Sequence, residues 1–488
     1  MKDYVIAIDA GTTSIRAGVY DAKSGAFIHR ASQETAQSFP RSGWVEQDAN
    51  EIYYKAAYVL NDCVQAVGAE NIASIGITNQ RETIIFWNRE TGEPICPAIV
   101  WQCRRTSTFC ASVSDEMRRT IKEKTGLLPD AYFSASKMKW VMDNVPEARQ
   151  LQRDGKLCAG TVESYLVFKL TGKFITDHTN ASRTMLFDIR RLAWDSELLR
   201  YFGIDRGILP VPIPCDASVG YARFSGREIP VAGILGDQQA ALFGQACFCA
   251  GEGKITYGTG LFMLFATGER CISSESGLLS TVAYTVGGRT AYALEGSAFN
   301  AGSAVQWLRD GMGLISTSAE SEEVARSVSD TGGVYFVPAF TGLGAPHWQS
   351  DARGMLCGIS RGTKRAHVVR AVLESIAYSA RDLSDAMVKD SGISLKEIKC
   401  DGGASANDFL MQFQCDVLGI NVNRPQERES TLLGAALLSS VSSGLMSLEE
   451  AASRRVSEKT FYPSTEREKY DLLYQNYLLA LKRTLIIE

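Results

Sequence analysis

Residues 5–20 read Val5-Ile6-Ala7-Ile8-Asp9-Ala10-Gly11-Thr12-Thr13-Ser14-Ile15-Arg16-Ala17-Gly18-Val19-Tyr20. Two apolar runs of strand composition flank a turn that carries one carboxylate, one glycine and three hydroxyls. We predict a hairpin in which Gly11 adopts positive φ and the amides and hydroxyls of residues 12–14 converge on a phosphate. Asp9, at the end of the first strand, is placed to hold a hydrated metal ion. The alternative is an ordinary hairpin with a polar turn.

Length and composition narrow the class of protein. The chain has 488 residues, which predicts two or three domains. Its net charge is −4 and it has no long basic run, which argues against a nucleic-acid-binding surface. The twelve cysteines lie mostly in apolar or helical contexts, which favours a reduced, cytoplasmic protein. The four histidines are scattered and no Cys-x-x-Cys occurs, so we expect no zinc site.

Targeting segments are not expected either. The N-terminal apolar run is short and is interrupted by Asp9, unlike the apolar core of a signal peptide. No later segment approaches the roughly 20 apolar residues that a membrane-spanning helix needs. We therefore expect no membrane span.

A second hairpin pattern follows half a chain later. Residues 255–265 read Ile255-Thr256-Tyr257-Gly258-Thr259-Gly260-Leu261-Phe262-Met263-Leu264-Phe265. This again is strand, glycine-threonine turn and strand. Two copies of one unit predict two related domains that offer their turns to one shared ligand. We place the boundary near residue 245, which gives domains 1–245 and 246–488.

Polar side chains follow two buried strands. Arg81 and Glu82 come after the strand predicted over 72–78, and Asp237 comes after the strand predicted over 229–235. In α/β proteins, ligand contacts gather at such strand ends. An exposed ion pair is the alternative for the first two residues, and a helix cap is the alternative for Asp237. Trp101 and Tyr132 lie where apolar sequence becomes polar, and core packing is the alternative for both.

Two further glycines are candidates for backbone contact with a nucleotide. Gly302 lies in the first turn of a predicted helix, where glycine costs about 1 kcal/mol relative to alanine. Gly403 lies between a strand and the helix predicted to begin near Asn407. Chance placement and a plain strand–helix turn are the alternatives. The segment 251–254 has neither the spacing of a Walker A loop nor its Ser or Thr.

Longer strings of sequence extend this interpretation over essentially the whole chain. They are Gly76–Thr83, Trp101–Thr106, Asn180–Phe187, Gly236–Gln239 and Pro338–Pro346. On these strings the chain resembles the FGGY carbohydrate kinases, and within them the members that act on glycerol. The resemblance implies an α/β fold of two duplicated actin- and hexokinase-like (ribonuclease H-like) ATPase domains with a central cleft.

The same resemblance implies ATP-dependent phosphorylation of glycerol to sn-glycerol 3-phosphate, with Mg²⁺. Asp237 would take the proton from the attacking hydroxyl, and Asp9 and Arg16 would be the other catalytic residues. The implied substrate-binding set is Arg81, Glu82, Trp101, Tyr132, Asp237, Gln238 and Phe262. The implied ATP-binding set is Thr12, Thr13, Ser14, Arg16, Thr259, Gly260, Gly302, Gln306, Gly403 and Asn407.

Further expectations concern the metal, assembly and motion. Asp9 and Asp237 would be the metal-side carboxylates. Closure of the domains around both substrates would keep water from wasting ATP. A homo-oligomer, either dimer or tetramer, is expected.

The chain also departs from the family pattern. Ala10 stands where the family usually has glutamine, beside the phosphate turn. Residues 221–228 contain neither the glycine-rich loop nor the histidine through which some members are regulated. Two rival functions remain at this point. One is a kinase for a related polyol or sugar, and the other is an actin-like ATPase that serves as a nucleotide-gated interaction module.

Overall fold

The computed structural model describes residues 2–224, 226–349 and 351–485. Its strands are β1 (Tyr4–Ala10), β2 (Ser14–Asp21), β3 (Ala26–Glu34), β4 (Glu46–Gln47), β5 (Ile72–Asn79), β6 (Ile84–Asn88), β7 (Ala98–Ile99), β8 (Leu157–Thr161), β9 (Ile175–Asp177), β10 (Phe187–Asp188), β11 (Ala193–Trp194), β12 (Val211–Ile213), β13 (Ser218–Phe224), β14 (Arg227–Gly236), β15 (Glu252–Tyr257), β16 (Leu261–Gly268), β17 (Leu279–Val286), β18 (Arg289–Ala298), β19 (Tyr335–Val337), β20 (Met355–Cys357), β21 (Glu397–Gly402), β22 (Asn421–Pro425) and β23 (Ser457–Phe461).

The α-helices lie between these strands. They are α1 (Ala49–Val67), α2 (Ser107–Ala111), α3 (Asp115–Thr125), α4 (Ser134–Asn144), α5 (Pro146–Arg153), α6 (Val162–Thr171), α7 (His178–Ala181), α8 (Ser196–Phe202), α9 (Asp237–Gly244), α10 (Gly302–Gln306), α11 (Glu320–Arg326), α12 (Arg365–Ser391), α13 (Asp408–Leu418), α14 (Ser430–Ser442), α15 (Leu448–Ser453) and α16 (Arg467–Leu485).

Two large mixed sheets organise the molecule. The first has the order β13-β14-β5-β1-β2-β3, and the second has the order β17-β18-β16-β15-β21-β22-β23. In each sheet an antiparallel hairpin, β1–β2 or β15–β16, lies beside a strand parallel to its first arm, β5 or β21. The repeated hairpin predicted from sequence is therefore present, and the predicted two-domain α/β fold is confirmed.

The strands of the first hairpin form because their apolar side chains are buried, as their composition predicts. The side chains of β1 from Val5 to Ile8 are fully buried, and those of β2 at Ile15, Ala17 and Val19 are buried as well. Helix α1 covers this sheet with a buried stripe that includes Ile52 and Val59. Asp48 caps that helix by accepting from the Asn50 amide at 2.8 Å. Apolar strand composition and a capped amphipathic helix thus fix the first layer.

A smaller sheet, in the order β4-β7-β6-β8, adjoins the first large sheet. It follows β5 directly in the chain, because β6 begins five residues after β5 ends. The connecting residues 80–83 are buried. Arg81 and Glu82 therefore lie between two sheets, where an unpaired charge would be very costly.

Helix α14 returns from the second half of the chain to the first sheet. It crosses α9 so closely that a Cβ on Gly434 would lie 1.8 Å from the Ala240 carbonyl oxygen, and one on Gly244 would lie 2.2 Å from that of Ser430. It also packs on β5, where a Cβ on Gly76 would lie 2.5 Å from the Ala435 carbonyl oxygen. Helices α9 and α14 thus form a tight crossing between the two sheets.

The cysteines are free, and most of them are buried. Among the residues that the structure describes, no helix combines the length and apolarity needed to cross a bilayer.

His178 gives the fold a pH-dependent stability. Its ring lies 5.8 Å from that of Phe187, and Nδ1 lies 3.0 Å from the Thr285 hydroxyl. Burial lowers the pKa of His178 from 6.5 to about 4. Protonation therefore favours the unfolded chain, so the stability is full above pH 6.5 and is lost as the pH falls towards 4.

We expect His178→Gln to remove that pH dependence. Between pH 6.5 and 4 the native chain should lose up to roughly 3 kcal/mol through this group, because one pKa unit corresponds to about 1.4 kcal/mol. Urea unfolding at a series of pH values measures this. The same variant at pH 8 is the control for lost packing. Parallel pH dependences for the native chain and the variant would contradict the assignment.

Candidate active site

The carboxyl ends of three parallel strands meet at one edge of the first sheet. In the register, Asp9 lies beside Thr78, and Gly236 lies beside Asn79. This brings the three predicted polar segments together, with Asp9 on β1, Arg81 after β5 and Asp237 after β14. Burial raises the pKa of Asp9 to about 7, and the charge of Asp237 is the next largest cause. The two isolated carboxylates therefore face the same space.

Asp237 does not act as an ordinary helix cap. Gly236 occupies the N-cap position of α9, and Asp237 is the first helical residue. Its carboxylate accepts from the Gln238 amide at 2.7 Å, and its Oδ1 lies 3.1 Å from Nε of Arg81. About 30% of the side chain remains exposed. Burial raises the pKa of this carboxyl, and Arg81 opposes the rise.

Arg81 and Glu82 belong to a buried network of charges. Arg81 makes a bidentate pair with Glu295, at 2.8 Å to each oxygen, and also donates to Gln239 at 3.1 Å. Arg183 donates to Glu82 at 2.7 Å and lies 3.2 Å from Glu295. Because every charge has an opposite partner, the network is compatible with burial. The alternative of an exposed ion pair for residues 81 and 82 is wrong.

Neither Arg183 nor Glu295 was predicted from the sequence as a site residue. Arg183 lies in one of the strings shared with the kinases, and Glu295 is a lone acid in the buried strand segment 291–296. A charged residue at a position whose neighbours are all apolar was the available signal. An acid in such a strand needs a buried cation, and Arg81 and Arg183 supply it.

Glu82 has a φ of 62°, which places a non-glycine residue in the left-handed region. The Ser134 hydroxyl donates to the Glu82 carbonyl oxygen at 3.1 Å. Such a conformation costs energy and persists only where its surroundings fix it. It turns the Glu82 carboxylate towards Arg183 and away from the strand direction.

Two aromatic residues line the same space. The rings of Trp101 and Tyr132 pack edge to face with centroids 5.5 Å apart. The indole N–H of Trp101 donates to the Thr12 hydroxyl at 3.0 Å, so this wall is tied to the first hairpin turn. The buried ammonium of Lys137 donates to the backbone carbonyl oxygens of Ala131 and Tyr132 and so holds the Tyr132 backbone. Trp101 and Tyr132 each pack against the fold and remain partly exposed, so each can also contact a ligand.

The first turn differs from its prediction in one respect. Gly11 does not adopt positive φ. Its amide donates to the Ser14 carbonyl oxygen at 3.1 Å, and a Cβ there would lie 3.0 Å from that oxygen. Close approach of the backbone, rather than handedness, explains this glycine. Thr13 is exposed and Ser14 is partly exposed, whereas Ala10 is fully buried in the core.

Arg16 reaches across to the second half of the chain. Its guanidinium donates to both oxygens of Glu429, at 2.8 and 2.9 Å, and to the Ser14 hydroxyl at 3.2 Å. Glu429 immediately precedes α14. The Arg16 side chain is 44% exposed and that of Glu429 is 35% exposed, so this ion pair is accessible to a ligand.

Asp9 is a candidate ligand for a cation. Its Oδ1 is buried and has no hydrogen-bond partner. Within the described ranges, no three acidic, histidine or cysteine side chains form a group that could enclose a metal ion. Mg²⁺ commonly binds through one or two carboxylates and completes its shell with water and substrate phosphates. Asp9, with Asp237 nearby, fits that ion.

The second turn places Thr259 and Gly260 between β15 and β16. Thr259 is exposed, and a Cβ on Gly260 would lie 2.7 Å from the Ala298 carbonyl oxygen. Gly302 donates to the Gly258 carbonyl oxygen at 3.0 Å, and a Cβ there would lie 2.5 Å from the same oxygen. The group that approaches Gly302 is therefore the neighbouring turn of the protein itself. Gln306 is exposed one turn further along α10.

Gln238, on α9, contacts the second large sheet, and Phe262 lies in that sheet. The buried ammonium of Lys254, on β15, donates to the Gln238 side chain and to the Thr256 hydroxyl. Burial lowers the pKa of Lys254 to about 8. Phe262, on β16 opposite Thr256, is partly exposed. The sequence interpretation missed Lys254, although a lysine inside a buried strand carries the same signal as Glu295.

Gly403 and Asn407 stand at the end of β21. Asn407 caps α13 by accepting from the Leu410 amide at 2.9 Å and donates to Ser321 at 3.2 Å. Its side chain is therefore already used in the fold. Gly403 has no atom within 4 Å of where a Cβ would stand, and its φ is not positive. Open space next to Gly403 is compatible with a ligand that lies against the backbone.

We expect Gly403→Ala to separate nucleotide binding from stability. A methyl group there meets no protein atom, so the thermal unfolding midpoint should stay unchanged. If adenosine lies against this backbone, the KM for ATP should rise about 10-fold, the usual order for one misplaced methyl group. Steady-state kinetics with each substrate varied in turn measure this, and the KM for the acceptor is the internal control. An unchanged KM for ATP would contradict the assignment of Gly403.

Comparison with known proteins agrees with this architecture. The model for the N-terminal domain of the FGGY family of carbohydrate kinases matches residues 4–244, and the model for the C-terminal domain matches residues 253–443. The chain belongs to the FGGY family of carbohydrate kinases.

Relatives within the family carry a more specific name. A glycerol kinase of Treponema denticola is 52% identical over 99% of both chains, and one of Symbiobacterium thermophilum is 50% identical over 99% of this chain and 98% of its own. The crystal structure of Plasmodium falciparum glycerol kinase with ADP superimposes with a TM-score of 0.93 at 36% identity, and covers 99% of both chains.

Proposed function

We propose that the chain transfers the γ-phosphoryl group of ATP to glycerol and forms sn-glycerol 3-phosphate. The observation that carries the proposal is the convergence of Asp237, Arg81 and Glu82 with the aromatic pair Trp101 and Tyr132 beside the first hairpin turn. Relatives of about 50% identity over the full chain, named glycerol kinase, support the choice of acceptor.

On the acceptor side, Asp237 is the general base. Its partly exposed carboxylate takes the proton of the attacking hydroxyl, and burial makes it a stronger base than a solvated aspartate. Arg81 and Glu82 hold the remaining hydroxyls through charge-assisted hydrogen bonds. The rings of Trp101, Tyr132 and Phe262 bound the carbon chain, and Gln238 completes the set.

On the donor side, the two hairpin turns hold the phosphates. Phosphoryl transfer depends on alignment and on electrostatic stabilisation, which the amides and hydroxyls of Thr12, Thr13, Ser14, Thr259 and Gly260 provide together with Arg16. Asp9 and Asp237 would hold Mg²⁺, which neutralises phosphate charge when bound.

Nucleotide binding and assembly complete the proposal. Adenosine lies against Gly403, with Gly302, Gln306 and Asn407 nearby. The catalytic unit consists of two domains, 1–245 and 246–488, that close around both substrates. The protein works in the cytoplasm as a homo-oligomer, either a dimer or a tetramer.

An acceptor panel tests the proposal. ADP release is measured with glycerol and with larger polyols and ketoses at equal concentrations. We expect glycerol to give the highest kcat/KM, because the relatives of about 50% identity over the full chain are named glycerol kinase. Higher kcat/KM with another polyol, and little turnover with glycerol, would overturn the choice of substrate.

A further inference from the structure

Glu295 occupies an unusual place relative to the acceptor site. It lies on β18, in the second large sheet, whereas Arg81, Glu82 and Arg183 belong to the first half of the chain. The Glu295 carboxylate is only 2% exposed, and both of its oxygens already accept from Arg81, with Arg183 as a further donor to Oε1. It nevertheless makes the shortest contacts of Arg81, at 2.8 Å to both terminal nitrogens.

The hydrogen-bond inventory of Arg81 shows what this contact does. A guanidinium has five N–H groups. Both hydrogens of Nη1 are used, one by Glu295 and one by Gln239, and one hydrogen of Nη2 is used by Glu295. Nε is buried without a hydrogen bond of good geometry, although Asp237 Oδ1 lies 3.1 Å away. Two donors therefore remain, one on Nε and one on Nη2.

These two donors lie on one edge of the planar guanidinium. The Nη2 hydrogen that is not used by Glu295 points in the same direction as Nε–H. That edge lies beside Asp237 and Glu82, whose nearest carboxylate oxygens are 3.1 and 3.8 Å from Nε. The opposite end is fixed by Glu295, so Arg81 cannot rotate to give Asp237 a second bond. Glu295 is in turn held by Arg183 at 3.2 Å, which also binds Glu82 at 2.7 Å.

We propose that Glu295 is a positioning residue for the acceptor hydroxyls, which acts by presenting the free edge of Arg81 to the acceptor. The proposal rests on the proposed function of this site. It also makes the acceptor site depend on both halves of the chain, since the residue that orients Arg81 comes from the second sheet. Without the Glu295 charge, the Arg81 guanidinium is released at that end and can pair with Asp237 through both donors of this edge, which leaves neither donor for the acceptor.

Glu295→Gln and Glu295→Asp test this. The amide cannot accept two charge-assisted bonds, so we expect Glu295→Gln to raise the KM for glycerol about 10-fold or more, since small displacements of positioning groups have effects of this order. The KM for ATP should stay within about twofold, because Arg81 does not touch the nucleotide turns. Glu295→Asp keeps the charge with a shorter reach and should recover part of the glycerol affinity.

Glu374→Gln is the matched control. Glu374 is another carboxylate that is 3% exposed and paired with an arginine, since Arg370 lies 2.8 Å away on α12, but it is outside the site. A general loss of stability should affect both glutamine variants alike, whereas only Glu295→Gln should weaken glycerol binding. Calorimetric titration of glycerol without ATP gives a readout independent of turnover, and circular dichroism verifies folding.

The outcomes separate this proposal from the proposed function. If the native chain prefers another acceptor, the function is wrong, and the variants are compared on that acceptor. Native-like acceptor KM and binding in Glu295→Gln would overturn the positioning role. Equal losses in Glu295→Gln and Glu374→Gln would overturn it too. If Glu295→Gln does not fold, Glu295→Asp decides, because an unchanged acceptor KM in that variant contradicts the need for bidentate geometry.

Discussion

Asp237→Asn should lose at least about 10³-fold in kcat with glycerol and ATP, while it folds as the native chain does. The amide keeps the shape of the side chain but cannot take a proton from the attacking hydroxyl. The carboxylate accepts from one backbone amide, lies 3.1 Å from Arg81 Nε and is 30% exposed, and Arg81 keeps its bidentate pair with Glu295 in the variant. The loss should therefore appear in turnover and not in the unfolding midpoint.

Asp195→Asn provides the control for that variant. Asp195 is a true N-cap, which accepts from the amides of Glu197 and Leu198 at 3.0 Å. Its amide variant keeps the cap but loses the ion pair with Lys124, which lies 2.9 Å from both carboxylate oxygens, so it should lower stability slightly and leave kcat unchanged. Coupled measurement of ADP release compares the two. Near-native turnover in Asp237→Asn would contradict the role of Asp237 as the base and would favour an actin-like ATPase that acts as an interaction module.

Gly434→Ala should destabilise the fold by roughly 3 kcal/mol, the upper end for overpacked sites. A Cβ at this position would lie 1.8 Å from the Ala240 carbonyl oxygen, and the backbone of α9 cannot yield as a side chain could. The α9–α14 crossing would have to open. Because Asp237 begins α9, kcat should fall in the same variant.

Urea unfolding measures that effect, and Gly403→Ala is the control. It makes the same substitution where no atom lies within 4 Å, so its unfolding midpoint should match that of the native chain. Native-like stability of Gly434→Ala would contradict the close crossing of the two helices.

Much of the fold could be predicted from sequence because its elements are locally determined. The hairpins 5–20 and 255–265 show strand composition on both sides of a glycine-threonine turn, and the structure has β1–β2 and β15–β16 there. The return of α14 to the first sheet could not be predicted in this way. It depends on backbone contact between residues about 190 positions apart, for which Gly244 and Gly434, two glycines inside helices, are local signs.

The residues of the candidate site also differ in how far the sequence alone could predict them. Arg81, Glu82 and Asp237 could be predicted as candidates because ligand contacts gather at the ends of buried strands, and the structure places their side chains together. Glu295 and Lys254 were missed because each lies within a strand, where the surrounding pattern indicates only core. Gly302 was noticed for a valid reason, but the approaching group is the Gly258 carbonyl oxygen.

The central claim is that this chain phosphorylates glycerol with ATP, and product analysis tests it most directly. Purified protein is incubated with ATP, Mg²⁺ and glycerol, ³¹P NMR follows the phosphorus, and a dehydrogenase specific for sn-glycerol 3-phosphate assays the configuration of the product. The account predicts one ADP for each glycerol 3-phosphate formed, with phosphate on the sn-3 hydroxyl alone and almost no ADP without glycerol. ADP formed at the same rate with and without glycerol, and accompanied by inorganic phosphate, would contradict it.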